Sequence, residues 1–365
     1  MFYLVPLWSP WPLKTINLFL INLVFLNDRL FIPMQKNNIK SLLLQLGQAV
    51  SRRCVLAFKE DVGLNLQVKV TPADIIYQID IEAEEEIIRI LQTRAHEFGG
   101  IILLAEGIGE EDKSLYPQGI SEGDAKVKII CDPIDGSRGL MYGKRPAFFL
   151  AAAGEVTAQT LKDMEVSVMV EIPIPKQHEY DVLSAVRGEG AENLRYNLDG
   201  SFVKKILKPS DVASIESGFI SFVKYCYPGK DYVSILEERF LDQIFADREE
   251  HFLGVFEDQY ISSGGQLYEL ICGHDRLVVD IRGAMYAKFK REGRKVGQVS
   301  HPYDLACVLI AEEYGVVVNN LDGTPFDAPL DMTYDVDFIA YSNRQIQNQC
   351  EGLLLDILEE QDLLH

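Results

Sequence analysis

Apolar residues set the first expectations for this chain. From Ile39 to Lys59, Leu42, Leu43, Leu46, Val50 and Ala57 recur at roughly helical spacing, which predicts an amphipathic helix. Past Gly63 that period is lost, and VKVTPADIIYQID reads as extended chain. It returns in IEAEEEIIRILQTRAHEFGG, where Ala83, Ile87, Ile90, Leu91 and Phe98 share one helical face. Glu82 to Glu86 suit the positive end of that helix dipole, and Gly99 and Gly100 stop it. Asp80 therefore falls at a strand-to-helix junction. IILLA, residues 101–105, is a short continuous apolar run, a buried strand delivering Glu106 at its end. KVKII before CDPIDG repeats the arrangement, and further apolar runs with turn signals at Gly154, Pro173 and Pro175 extend to Arg187.

The first half thus reads as helices on a mostly antiparallel sheet. Around Leu198 to Asp211, Asp199-Gly200 and Pro209 mark a domain join. Beyond it strands and helices alternate: GFISFV, a helix near Tyr232 to Phe245, VVDI, a helix in YDLACVLIAEEYG, VVV, FIAYS and a final helix from Ile346 to Leu358. The expectation is an α+β domain over 34–211 and an α/β domain over 212–365.

Composition narrows the function. The chain has 365 residues, 47% of them hydrophobic, enough for substantial cores. Its 55 acids against 35 bases give a formal charge of −20, which repels nucleic-acid polymers and anionic membranes. Cys54, Cys131, Cys226, Cys272, Cys307 and Cys350 show neither disulfide-framework nor zinc spacing, and a reducing cytoplasm fits best. Residues 1–33 stand apart as a hydrophobic extension. The run Ile16 to Leu26 is too short to span a bilayer, and Lys14 alone is a poor signal-peptide start. A mis-assigned start and a loose extension are both open; stable membrane insertion is not expected.

The candidate chemistry lies in CDPIDGSRGL, residues 131–140. Asp132 and Asp135, flanking a rigid proline after a strand, can aim at a common point. Two carboxylates held together repel unless a cation lies between them. Hard oxygen donors suit Mg²⁺, Mn²⁺ or Ca²⁺ rather than zinc. Gly136, Ser137 and Gly139 leave backbone N–H groups open to cradle phosphate. Taken alone, the tetrad reads equally as a solvated turn, the usual fate of Asp, Pro and Gly between strands.

DPIDGS resembles the D-P-I-D-G-T/S signature of the inositol monophosphatase superfamily, Mg²⁺-dependent, lithium-sensitive phosphatases that include fructose-1,6-bisphosphatase and 3′(2′),5′-bisphosphate nucleotidase. Three further segments occur in the family's order. KVTPADIIYQID resembles the segment that supplies a lysine and an active-site aspartate, here Lys69 and Asp80. ILLAEG resembles the strand ending in a metal-binding glutamate, here Glu106. HPYDLACVLIAEEYG resembles the distal W-D-x-A helix, with Asp304 at its start and Tyr303 in place of the tryptophan. The match spans about Ile39 to Leu358. It departs where Glu106-Gly107 stands for the family's E-E, which leaves Glu110 as the alternative to Glu106, and where Ser137 stands for threonine.

The resemblance implies a layered αβαβα sugar-phosphatase sandwich, with two or three Mg²⁺ ions per site. Glu106, Asp132 and the Ile134 carbonyl would hold one ion, and Asp132, Asp135 and Asp304 a second. Ser137, supported by Asp80, would orient or deprotonate the attacking water; Gly136, Ser137 and Lys69 would bind phosphate. The implied partner is a small phosphorylated metabolite, a sugar, inositol or related phosphate, with a homodimer left open. Alternatives are a bisphosphate nucleotidase or sugar bisphosphatase, and a catalytically silent metal- or phosphate-binding homologue. The bases between Arg282 and Val299 read either as a solvated hairpin or as a reader of a second anionic group. His301 is more readily a hydrogen-bonded structural group than a catalyst, Glu82 to Glu86 a solvated helix start, and Cys131 a packing residue.

Overall fold

The computed structural model describes residues 35–60, 67–70, 75–247 and 254–364; of 67–70 and 75–77 only the backbone is described. Expectations for residues 1–33 and for the Lys69 side chain lie outside it. The first helix, α1 (Lys36–Glu60), buries Ile39, Leu42, Leu43, Leu46, Val50, Cys54 and Ala57, the stripe its sequence period requires. Two short antiparallel strands follow, β1 (Gln67–Val70) and β2 (Ile75–Tyr77), and then α2 (Gln78–Arg94), which already contains Asp80 in its first turn.

A large sheet comes next: β3 (Ile101–Ala105), β4 (Lys113–Tyr116), β5 (Val127–Asp135), then after the short helix α3 (Ser137–Met141), β6 (Ala147–Glu155), β7 (Val166–Ile172), β8 (Glu179–Val186), β9 (Gly190–Asn197) and β10 (Phe202–Lys205). Its order is β10-β9-β8-β7-β6-β5-β3-β4, with only β3 and β5 parallel. The second sheet holds β11 (Phe219–Phe222), β12 (Phe256–Glu257), β13 (Asp275–Asp280), β14 (Val317–Asn319) and β15 (Phe338–Tyr341) in the order β12-β11-β13-β15-β14. Its helices are α4 (Lys230–Ile244), α5 (Ser263–Ile271), α6 (Arg282–Arg291), α7 (Val308–Tyr314) and α8 (Arg344–Glu360). The boundary drawn at 211 and 212 falls in the connection between β10 and β11.

Across β3 and β5 to β8 both faces of the large sheet are covered, which explains the continuous apolar runs there. Ile101, Leu103, Ala105, Ile129, Phe149 and Val168 pack against α1 and α2. Their alternating neighbours Ile102, Leu104, Ile130, Phe148, Leu150 and Met169 pack with Leu267 and Leu270 of α5, Leu309 and Ile310 of α7, and Val278 and Ala340 of the second sheet. The opposite face of that sheet, through Ile220, Leu277, Val279 and Tyr341, meets Phe240 of α4, Phe289 of α6 and Leu354 of α8. Five layers result, helix, sheet, helix, sheet, helix: the expected αβαβα sandwich. Among the described residues no helix is long and apolar enough to cross a membrane.

Two elements differ from the sequence reading. The basic stretch after Asp280 begins not as a hairpin but as α6, because Ala284, Met285, Tyr286 and Phe289 supply a buried face between the bases. The nine-residue helix α5 carries two glycines at its start, which weaken its helical pattern in the sequence.

Candidate active site

A strand alternates its side chains, so two acids three residues apart should point to opposite faces. The register of β5 against β6 resolves this. Asp132 faces Leu150 and Asp135 faces Phe148, so three steps on β5 span two on β6. This is a bulge, with one extra residue at Pro133-Ile134. It turns Asp135 onto the same face as Asp132, the face that looks toward α5 and α7, while Ile134 stays in the opposite core. The Ile134 amide donates to Asp132 Oδ1 at 2.9 Å, which holds the bend.

The third acid arrives from the second half of the chain. Asp304 lies in a 3₁₀ turn, Pro302–Leu305, and its Oδ2 accepts the His301 amide at 2.6 Å. One carboxylate oxygen from each of Asp132, Asp135 and Asp304 lies within 4.8 Å of the others. Burial, then the charges of Glu106, Asp135 and Asp304, push the Asp132 carboxyl well above the usual carboxylate range. Burial and then Asp304 push Asp135 up to about 8, against the Ser262 hydroxyl and the Gly264 and Ser263 amides. Asp304 is likewise raised by burial, against the His301 amide. Two buried carboxylates and a half-buried third at this spacing cannot all ionise readily without a counter-charge. Arg282, whose field favours ionised Asp304, is itself paired with Asp280. An all-oxygen, anionic donor set of this kind fits a hard divalent cation, Mg²⁺ among them.

Glu106 follows directly on β3, half-buried, and its charge acts on Asp132 second only to burial. Glu110 is exposed, in a backbone bridge with Lys113. Ser137 opens α3 behind Gly136, whose left-handed φ of 93° favours glycine. A Cβ on Gly136 would also lie 3.1 Å from that of Ser262. Asp80 is half-buried in the first turn of α2, a helix that packs on β5, and its charge reaches the Cys54 thiol. Tyr303 is buried in the core between the sheets. The His301 ring bonds through Nδ1 to the Tyr334 carbonyl at 3.0 Å, a structural tie. Cys131 is buried and its thiol pushed far up by that burial, as a packing residue requires. Glu82 is half-buried and paired with Arg53 at 2.6 Å rather than simply solvated.

Sequence reasoning passed over Ser262-Ser263-Gly264-Gly265. Ser262 caps α5 by accepting the Gly265 amide at 2.7 Å, and its Oγ donates to Asp135 Oδ2 at 2.8 Å. The Gly264 amide donates to the same oxygen at 2.7 Å. The available signal was a capping serine followed by small residues, which let a helix end approach closely. On the far side of the site, Arg138 of α3 donates to Gln298 Oε1 at 2.6 Å and so joins the phosphate-loop candidate to the segment after α6.

The five-layer fold is one that inositol monophosphatases of known structure share. Among solved structures, the extragenic suppressor protein SuhB from Bartonella henselae matches with a TM-score of 0.60 and 20% identity over 87% of this chain and 98% of its own. An IMPase from Thermotoga maritima matches at 0.58 and 18% identity, over 88% and 99%. A staphylococcal inositol monophosphatase-1, in an inhibitory complex soaked with LiCl, matches at 0.57 and 17%, over 90% and 96%. No family model and no curated protein matches the chain.

Proposed function

We propose that the chain is a divalent-metal-dependent phosphomonoesterase acting on a small sugar, inositol or related phosphate, with Mg²⁺ as its natural ion. The observation that carries this reading is the convergence of Asp132, Asp135 and Asp304 on a fold shared with inositol monophosphatases. Glu106, Asp132, the Ile134 carbonyl, Asp135 and Asp304 would hold the ions. When bound, such ions offset phosphate charge, acidify water and stabilise a leaving oxygen.

The remaining work falls to the chain itself. The Gly136 and Ser137 amides hold phosphate oxygens as they gain charge in the transition state. The Ser137 hydroxyl, supported by Asp80, orients or deprotonates the attacking water, and Lys69 contributes a positive charge to phosphate binding. Water oxygen bonds to phosphorus as the ester oxygen departs, so no covalent enzyme intermediate is needed. Among the bases of α6 and the residues after it, Lys290 faces Asp335, Arg291 pairs with Asp362 and Arg294 with Glu292. A cytoplasmic setting belongs to the same proposal, supported by six cysteines that are all unpaired.

The test is phosphate release from a panel of mono- and bisphosphorylated sugars, inositols and nucleotides, with Mg²⁺ and with chelator. Mg²⁺-dependent turnover of a monophosphate is expected; metal-independent turnover, or none across the panel, would sink the reading. Li⁺ should inhibit under limiting Mg²⁺ by taking a cation position without the double charge. Turnover unaffected by Li⁺ would remove lithium sensitivity from the proposal.

A further inference from the structure

The buried base at the head of α6 leads back to the aspartates. Arg282 is 3% exposed and its partner Asp280 is 0% exposed. Arg282 Nε donates to Asp280 Oδ1 at 2.9 Å, and Nη2 to Oδ2 at 2.6 Å. Nη2 also donates to Ser300 Oγ at 2.7 Å, while Nη1 reaches the Gln298 carbonyl at 3.3 Å and Cys226 Sγ at 3.8 Å. The guanidinium lies 4.8 Å from the Tyr225 ring centroid. These partners engage every nitrogen of the guanidinium and match its donor capacity, so Arg282 has none to spare for a substrate anion. Its action is on the protein.

Ser300 carries that action onward. Its Oγ lies 2.7 Å from Ser263 Oγ, and both residues are buried. Ser263 is the first residue of α5, between the Ser262 hydroxyl and the Gly264 amide that hold Asp135 Oδ2. The approach has no slack: a Cβ on Gly264 would sit 2.6 Å from Leu150 Cδ1 and 2.8 Å from Asp135 Oδ2. A small tilt of the start of α5 is therefore transmitted to the carboxylate.

We propose that the Asp280–Arg282 pair is a positioning element of the aspartate cluster. Through Ser300 and Ser263 it fixes the start of α5, which occupies Asp135 Oδ2 and leaves Oδ1 as the oxygen presented to a cation. The inference rests on the metal-site reading above. Buried ion pairs are often replaceable by apolar residues without loss of stability. An apolar residue at 282 would lack the donor that holds the Ser300 hydroxyl, so here the pair serves geometry.

The test uses the full chain, stripped of metal, with Ser300→Ala and Ser263→Ala in place of Arg282 variants that leave a buried charge unpaired. Calorimetric titration with Mn²⁺ should show binding weakened about 10-fold in both, the scale of outer-shell losses at metal sites. Amide hydrogen exchange at Ser263 and Gly264 should quicken by more than the fall in the metal-free melting temperature accounts for. At saturating Mg²⁺, KM for the phosphate substrate should hold. Wild-type Mn²⁺ affinity in both variants, with a wild-type chain that binds Mn²⁺ and releases phosphate, would overturn the positioning role alone. A loss of affinity that only tracks a general loss of stability would also overturn it. A wild-type chain that neither binds Mn²⁺ nor releases phosphate would take the phosphatase reading down, and this inference with it.

Discussion

Asp135 carries two duties: its Oδ2 is held by the start of α5, and one of its carboxylate oxygens lies within 4.8 Å of one each from Asp132 and Asp304. Asp135→Asn and Asp304→Asn remove one charge each while keeping nearly the same shape. Phosphate release at limiting Mg²⁺ should fall at least about 100-fold in either, since even outer-shell changes at metal sites reach that scale. The same substitutions remove a like charge from a buried cluster, so the metal-free melting temperature should hold or rise. Steady-state kinetics and thermal melts check the pair together. Wild-type turnover with either Asn would remove that aspartate from the metal set, and a sharp drop in metal-free stability would show that the carboxylates are structural instead.

At the scale of elements, α1, α2, β3 and β5 were legible because period and composition agree in them: apolar stripes every three or four residues, or short continuous runs between turn signals. The aspartates were legible as residues, and the bulge that turns Asp135 toward Asp132 was not, because it is a property of pairing with β6. Nor was α5, whose glycines hide a helix but permit its contact with Asp135. Glycine substitution separates these effects. Gly352 in α8 has nothing within 4 Å of a built Cβ, so Gly352→Ala should stabilise the protein by about 0.5–1 kcal/mol. Gly264→Ala likewise removes a helical glycine, in the first turn of α5, yet its Cβ meets Leu150 and Asp135, so it should lower the melting temperature and weaken Mn²⁺ binding. If Gly264→Ala behaved like Gly352→Ala in melting and metal titration, the close approach of α5 would have no functional weight.

For the molecule as a whole, the balance of charge makes stability depend on pH in a definite direction. Away from the aspartate cluster, burial raises Glu171 and Asp275 to about 7 and Asp337 to about 8. Glu171 accepts the Asp181 amide at 2.8 Å and the Gln177 side-chain nitrogen at 2.6 Å, which only partly offset its desolvation. In an unfolded chain these groups titrate near about 4. Between about pH 4 and these raised values the folded state binds more protons than the unfolded one, so stability falls as pH rises. The contribution is complete below the unfolded pKa and lost as pH passes through about 7 for Glu171. Glu171→Gln keeps an acceptor for the Asp181 amide and cannot ionise. Its melting temperature should therefore fall less than that of the wild type between about pH 5 and about pH 8, with the two differing most at the upper end. Parallel melting curves across that range would show that Glu171 titrates in the folded protein as it does in the unfolded chain, and a steeper fall in the variant would reverse the sign argued here.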